Sequence, residues 1–503
     1  MRLRILFLSI GFALYSVNCV STGKKTNKLE RIEVGEANNV KVLKLKQIFP
    51  NEPKIKVGID KGKTIRLKTF GECSLRDSST LSVNGEFPTL TFKVLKAEKP
   101  VIYHWVILED YLDPILAKAY KLSFPDVKIL KLGIYPRYFV ALGPFEDFKE
   151  ALRFKHPNKK AVFSILEKPS SGDIYVQELD KVLKSPVYIS CSGYFSYKGN
   201  RYKGDMIIMT DYEKGLVLIN DINIEEYLKG VVPWEISPSY PEEALKAQAI
   251  AARTHAVDVA GIKWYLLKEP YDITDDFTTQ VYKGFTDYAI IDSIVNETKG
   301  IVMMNGDRFS IATFFTNCGG VLESGEEWGD SLIRPKTDAF VDMEPSLRLL
   351  RIKRDTDFAC SPSKDLPRVL RIGAESFRWD KKVPLTEISE IIKKNFNIDV
   401  GRVKRIEVLK RSETGRVKEV KVVGSKNFFV VRGDWNIRVA LGNLKSSYFT
   451  FKQKGNYIYF YGGGWGHGIG MCQVGAGVRA LKGWNYEEIL KFYYGNVELV
   501  KVW

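Results

Sequence analysis

Val231-Val-Pro-Trp-Glu-Ile-Ser-Pro-Ser-Tyr-Pro-Glu-Glu-Ala-Leu-Lys-Ala-Gln-Ala-Ile-Ala-Ala-Arg-Thr-His255 is the stretch from which the rest of the chain is best read. Ser239 and Glu242 stand at capping-box spacing, and Pro241 is tolerated in a first helical turn. Leu245, Ala249, Ala252, Ala256 and Val259 then recur at helical spacing. They form one apolar stripe, and its alanines allow close packing. The pattern predicts a helix within 239–261. Gln248 falls inside the stripe. A buried amide left without a partner costs roughly 1–3 kcal/mol, so Gln248 is either a satisfied core glutamine or a group that holds substrate or orients a catalytic partner. Arg253 lies at the stripe's edge, either as a surface arginine or reaching back towards the loop before the helix.

Glu235 sits in that loop between Pro233 and Pro238, which stiffen it by fixing φ. Trp234 and Ile236 flank the carboxyl with apolar surface. Such surroundings disfavour the charged form and raise the pKa, as a general acid at neutral pH requires. The plain alternative is an exposed loop glutamate.

Near the C-terminus, Tyr461-Gly-Gly-Gly-Trp-Gly-His-Gly-Ile-Gly-Met-Cys-Gln473 places six glycines around Trp465 and His467. Glycine permits positive φ and close backbone approach to a ligand. The stretch lacks the lysine of a phosphate-binding loop and the strand-to-helix context of a dinucleotide site. His467 is read either as a histidine bonded within a tight turn or as a group that binds sugar or assists proton transfer. Trp465 either stacks on a sugar ring or packs. Asn485 and Glu488 predict the cap of a last helix, and Gly495 its end.

Outward from these segments the chain reads as α+β, a β-rich multidomain core with one candidate catalytic helix. Residues 54–59 and 64–70 look like two strands of a hairpin around Lys61-Gly62-Lys63, within a β segment over 51–99. Residues 100–170 read as β-α-β-β-α-β: strands at 103–108, 127–132, 137–142 and 161–166, with helices at 113–122 and 145–154, the second entered through Gly143-Pro144. From 185 onward β-type runs return at 187–190, 206–210, 216–219 and 301–318. A helix follows at 385–396, strands at 403–409, 417–423 and 428–431, and helices at 472–481 and 486–494.

At 503 residues and 45% hydrophobic content the chain is globular and too long for one ordinary core. Arg2 and Arg4 ahead of the apolar run 5–15 read as an export signal over 1–19, followed by a polar, lysine-rich linker over 20–50. Export implies the periplasm or cell envelope. Cys19 stands where a lipid-modified cysteine would provide a membrane anchor, although Asn18 suits such a site poorly; plain cleavage nearby is the alternative. The net charge of +16 favours anionic partners such as wall polymers or lipid headgroups, or simply marks a solvated lysine-rich surface. The export signal argues against nucleic acid. Beyond Cys19 there are five cysteines, an odd number, with no CxxC spacing, and the whole chain has four histidines. Local spacing therefore suggests neither a metal centre nor a cofactor.

Two resemblances follow. Tyr138-Phe-Val-Ala-Leu-Gly-Pro-Phe-Glu-Asp147, with the element order around it, resembles a sporulation-related repeat (SPOR) domain, a family that binds glycan strands stripped of stem peptides. The first strand, with Tyr103-His-Trp-Val106, lacks that family's common glutamine. A generic ferredoxin-like insertion is the other reading. Over 185–503, five segments in order are similar to the stage II sporulation protein D (SpoIID) family, which includes the amidase-enhancer proteins: Glu226-Tyr-Leu-Lys-Gly-Val-Val-Pro-Trp-Glu235, Ala244-Leu-Lys-Ala-Gln-Ala-Ile-Ala-Ala-Arg253, Gln280-Val-Tyr-Lys-Gly284, Phe315-Thr-Asn-Cys-Gly-Gly320 and Gly464-Trp-Gly-His-Gly-Ile-Gly-Met471. This resemblance implies a lytic transglycosylase acting on peptide-stripped peptidoglycan glycan, with the catalytic glutamate at Glu235 and the family's basic helix residue at Arg253. Gln248, Trp465, His467 and Gln473 would support substrate or the glutamate. A wall amidase is the implied partner, and a non-catalytic activator of such an amidase is the rival role. Some members bind zinc through Cys and His just before the Gln-Val-Tyr motif. Here Thr274-Asp-Asp-Phe-Thr-Thr279 offers neither. Cys318 and Cys472 could pair with each other or with Cys360, and sequence does not decide between these.

Overall fold

The computed structural model describes residues 44–45, 48–111, 114–134, 137–260, 269–352 and 357–503. The expected export signal, Cys19 and most of the expected linker lie outside them. Among the described residues no helix is long and apolar enough to cross a membrane.

Two large sheets make the first core. One runs Ile273–Thr274, Lys54–Gly62, Gly215–Asn223, Asp205–Asp211, Val187–Cys191, Glu72–Arg76, Ser82–Glu86. The other runs Lys181–Lys184, Gly172–Val176, Thr89–Ala97, Thr64–Thr69, Phe195–Tyr197, Asn200–Tyr202. The hairpin expected around Lys61-Gly62-Lys63 does not form, because Lys54–Gly62 and Thr64–Thr69 belong to different sheets. Each strand alternates apolar and polar residues, and Ile55, Val57, Ile65 and Leu67 all bury into the shared core. The two strands therefore face each other across that core instead of pairing edge to edge. Nor is 51–99 a separate segment, since its strands interleave with strands from 172–223 in both sheets. Cys73 and Cys191, directly opposite on neighbouring strands, form a disulfide.

Residues 101–168 branch off between two strands of the second sheet. The expected β-α-β-β-α-β order is present, as an antiparallel sheet ordered Ala161–Lys168, Val101–Tyr111, Arg137–Phe145, Lys128–Leu132. Its helices, Pro114–Ser123 and Phe148–Arg153, cover one face. The strand continues through Gly143-Pro144 to Phe145, so the second helix begins later than the dipeptide suggested, at an Asp147 cap that accepts from Glu150 N–H. The opposite face, with Trp105, Phe139 and Phe163, is also buried. The unit is fastened to the rest of the chain by Arg137–Asp258 at 3.1 Å, by Arg308–Asp110 at 3.4 Å and by Ile134 N–H to Ala260 C=O at 3.3 Å.

The predicted helix forms over Glu242–Val259, but it is not amphipathic with one apolar stripe. Leu245, Ala249, Ala252 and Ala256 pack into the first core, and Ala244, Ala247, Ile250 and Ala251 into a second. Small side chains on both sides let two cores approach one helix axis closely. The expected capping box is absent. Pro241 occupies the cap without a side-chain bond, and Ser239 is exposed. Lys246 instead gathers Glu242, Glu243 and Glu297 about the first turns.

The second core holds the glycine-rich loop, helices Gln473–Leu481 and Tyr486–Tyr494, and part of the sheet Lys44–Leu45, Glu498–Lys501, Ile301–Asn305, Arg308–Phe309. The Asn485–Glu488 capping box and the Gly495 terminus are as read from sequence. A third core joins Leu385–Phe396 and Asp434–Ala440 to two three-stranded sheets, one of them Val403–Arg411, Val417–Gly424, Phe428–Arg432. The whole is a strand-rich α+β molecule.

Candidate active site around Glu235

Glu235 ends a one-turn helix, Val232–Glu235, that starts with Pro233 in its first positions. The stiff loop expected there is thus a short helical step between Ile224–Lys229 and the central helix. Val232 and Ile236 bury inward, whereas Trp234 is exposed and Glu235 is half-buried. Its Oε1 accepts from Val281 N–H at 2.7 Å. Burial pushes the carboxyl above its ordinary value, and the Val281 bond opposes this only in part.

The Gln-Val-Tyr segment is built to present that N–H. Gln280 accepts from Tyr227 O–H at 3.2 Å and donates to Ala252 C=O at 3.3 Å. Tyr282 donates to Asn220 Oδ1 at 2.7 Å. Gln280 and Tyr282 are therefore anchored in the core, and Val281 between them turns its main chain to Glu235.

The opposite side of Glu235 is held from the C-terminal motif. Gln473 Nε2 donates to Glu235 C=O at 2.9 Å and to Gln248 Oε1 at 3.2 Å. Gln473 opens its helix directly after Met471–Cys472, a strand paired in parallel with Phe314–Phe315. Gln248 is fully buried, and among the described residues its Nε2 has no partner. Three of the expected residues, Glu235, Gln248 and Gln473, thus form one bonded set.

Arg253 does not join it. Fully buried, it pairs with Glu225 at 2.6 Å and also donates to the Ile301 and Val295 carbonyls. Glu225 in turn accepts from Gly300 N–H at 2.9 Å. The arginine faces the inner side of the helix, where its charge is neutralised, and so cannot serve the loop before the helix.

His467 is committed to its own turn. Nδ1 accepts from Ile469 N–H at 3.1 Å, and the ring lies between Phe315 and Trp328 at 5.1 and 5.0 Å. Loss of solvent pushes it down to about 4, with Arg416 and Arg438 acting the same way and Asp434 opposing, so the imidazole is neutral at neutral pH. This favours the structural reading of His467 over proton transfer. Positive φ is needed in this turn: a Cβ on Gly468 would lie 2.4 Å from the Arg416 guanidinium, and one on Gly470 2.1 Å from Thr313 C=O. Trp465 exchanges main-chain bonds with Asn317 at 2.7 and 3.2 Å while its ring stays exposed beneath Lys445 Nζ at 5.2 Å.

Three further residues had no sequence signal. Phe277 and Trp435, both exposed, meet as a tilted ring pair with centroids 5.2 Å apart and join the Thr274–Thr279 turn to the third core. Asp275, on the same turn, is pushed up to about 6 by burial, with Asp276 and Asp60 adding and Lys283 opposing. A single exposed aromatic or loop aspartate looks ordinary until the fold shows its neighbours.

Comparison with known proteins matches the model of the SpoIID family, described as stage II sporulation protein, over residues 212–305. That range contains Glu235, the central helix and Gln280-Val-Tyr. This segment of the chain matches the SpoIID family. A domain of unknown function (DUF8618) matches residues 353–470. Among curated relatives, the chain is 31% identical to the amidase enhancer of Bacillus subtilis over 54% of this chain and 40% of that protein. It is 26% identical to stage II sporulation protein D of Bacillus subtilis over 56% and 75%. It is 28% identical to an uncharacterized protein of Brachyspira hyodysenteriae over 63% and 77%. Cys472 and Gln473 fall outside both matched ranges, yet Gln473 touches Glu235.

Proposed function

We propose that this chain acts on the bacterial cell wall by cleaving MurNAc–GlcNAc bonds of peptide-stripped glycan strands, as a lytic transglycosylase. The observation that carries this reading is Glu235: a half-buried carboxyl with raised proton affinity, held at Oε1 by Val281 N–H and through its main chain by Gln473. Protonated Glu235 donates to the glycosidic oxygen, the bond to the MurNAc anomeric carbon breaks, and the carboxylate then takes the proton of the sugar's own attacking hydroxyl. The product carries a 1,6-anhydro end. No water enters, so a second carboxylate to activate it is not required. Trp465 and Trp234, both exposed, supply apolar faces on which sugar rings stack. Such a substrate lies outside the cytoplasmic membrane, in keeping with the export signal read at the N-terminus.

The test is incubation of the purified chain with denuded glycan in the absence of any amidase, with mass analysis of the products. Anhydro-ended fragments from the wild type and none from Glu235→Gln support the reading. Their release by the variant overturns it.

A second reading rests on the similarity to a protein named amidase enhancer: binding to glycan and stimulation of a wall amidase. Stimulation that survives Glu235→Gln, without anhydro products from either protein, favours this role.

A further inference from the structure

Cys318, Cys360 and Cys472 are free and fully buried, and they converge with the fully buried Asp338. One ligand atom from each of the four lies within 4.8 Å of all the others. Cys318 Sγ is 3.2 Å from Cys360 Sγ and 3.2 Å from Asp338 Oδ2. The four come from separate places: the Asn317-Cys-Gly-Gly320 turn, the residue after strand Lys336–Thr337, a loop, and the cap of helix Gln473–Leu481.

We propose that these four side chains bind one zinc ion in a closed, structural Cys3Asp site. Three features argue for it beyond proximity. A tetrahedral zinc with metal–sulfur bonds of about 2.3 Å sets its sulfurs about 3.8 Å apart, so atoms confined as these are enclose a single ion and are too close for an iron–sulfur cluster. Main-chain N–H groups point at sulfur: Gly320 to Cys360 at 3.2 Å, and Cys318 and Gly475 to Cys472 at 3.3 and 3.4 Å. Such donors stabilise thiolate, and the Gly475 bond adds the N-terminus of a nine-residue helix. Finally, the carboxylate is already oriented from behind. Asp338 Oδ1 accepts from Arg479, Tyr493 O–H lies 3.1 Å from Oδ1 and 3.3 Å from Oδ2, and Oδ2 also accepts from Cys318 Sγ–H at 3.2 Å. An outer partner that fixes a ligand in this way is the usual support of a metal site. Arg416 on Cys318 C=O and Arg378 on Gly319 C=O bring further positive charge to offset three thiolates and a carboxylate.

With four protein ligands and no exposure, the ion has no open position for substrate. Its role is to tie the Cys318 turn to the cap of the helix whose first residue is Gln473, and so to fix Gln473 against Glu235. Binding releases the thiol protons to solvent and needs no oxidant.

The test uses the full chain purified without chelator from zinc-containing medium. Elemental analysis is expected to find about one zinc per chain, and stripping followed by cobalt(II) to give thiolate charge-transfer and tetrahedral d–d bands. Cys360→Ser should weaken the bands. Independently of any variant, Cys318, Cys360 and Cys472 in the native chain should resist alkylation until a chelator is added, and zinc should raise the melting temperature of stripped protein. Zinc below about a tenth of an equivalent with no cobalt bands overturns the site. A peptide map showing a disulfide between any two of these cysteines overturns it too.

Discussion

Gln473 Nε2 and the main-chain carbonyl of Glu235 lie 2.9 Å apart although 238 residues separate them in sequence. This bond joins the motif that follows the glycine-rich loop to the motif that carries the acid. The same nitrogen also reaches Gln248 on the central helix at 3.2 Å. Gln473→Ala leaves both acceptors without this donor in a mostly closed environment. A loss of about 1–3 kcal/mol in urea unfolding is expected. A fall in kcat beyond the loss of folded protein would show that the amide positions Glu235. An unchanged kcat per folded molecule would make the bond purely structural.

Glu235→Gln is expected to reduce glycan cleavage by about 10²–10⁴-fold, the range of a lost general acid. Burial raises the folded-state pKa of this carboxyl, so the protonated form is favoured in the fold. Activity that depends on the proton falls as pH rises through that raised pKa. Stability follows the same sign: the folded state is favoured below the unfolded carboxylate value and loses that advantage as pH climbs through the folded one. Glu235→Gln should therefore remove the fall in stability between the ordinary carboxylate value and the raised one. A pH–rate profile and melting curves in parallel buffers measure both.

Arg253→Ala strands the buried Glu225 carboxylate. A loss of about 3–5 kcal/mol is expected by denaturant titration, with glycan-cleaving activity per folded molecule near that of the wild type. Replacing Arg253 and Glu225 together by apolar residues of similar volume should cost much less. An activity loss in Arg253→Ala that exceeds the loss of folded protein would contradict the placement of Arg253 away from Glu235.

His467 is held near 4, below its ordinary value of 6.5. The unfolded chain takes up this proton first. Its contribution to stability is complete above 6.5 and is lost as pH falls from there through about 4. His467→Gln should reduce that acid-side loss and leave the pH–rate profile between about 5 and 8 without a histidine limb to remove. Appearance in the wild type, and loss in the variant, of a limb near neutrality would assign the imidazole a proton-transfer role instead.

Trp465→Ala removes an exposed ring whose main chain stays bonded to Asn317. Stability should change by less than about 0.5 kcal/mol, as for other exposed positions. Sedimentation with denuded glycan should show weaker binding, by about 1 kcal/mol or a few-fold in affinity. Equal binding by both proteins would return Trp465 to a packing role.

The places where sequence and structure part have definite physical causes. Alternation in 54–59 and 64–70 identified strands, but period-two patterning does not say whether two strands pair or face each other. Ser239 and Glu242 have capping spacing, yet Pro241 takes the cap position and lengthens the approach. Periodicity marks only the more apolar row of the central helix, whereas a second row, Ala244, Ala247, Ile250 and Ala251, meets another core. Arg253 stood at the edge of that row with nothing to show that Glu225, 28 residues earlier, would neutralise it.

Sequence by itself determined the helix at 242–259, the β-α-β-β-α-β order of 101–168, the last helix with its cap, and Glu235 as the acid worth testing. Each of these is written in local periodicity, capping residues or a contiguous motif, where a few neighbouring residues suffice. Tertiary structure alone decided that Gln473 and Val281 grip Glu235 from two sides, that Arg253 turns away, and that three cysteines meet Asp338. Those contacts depend on how sheets stack around one small-sided helix, and chain spacing carries no record of which distant atoms that packing brings together.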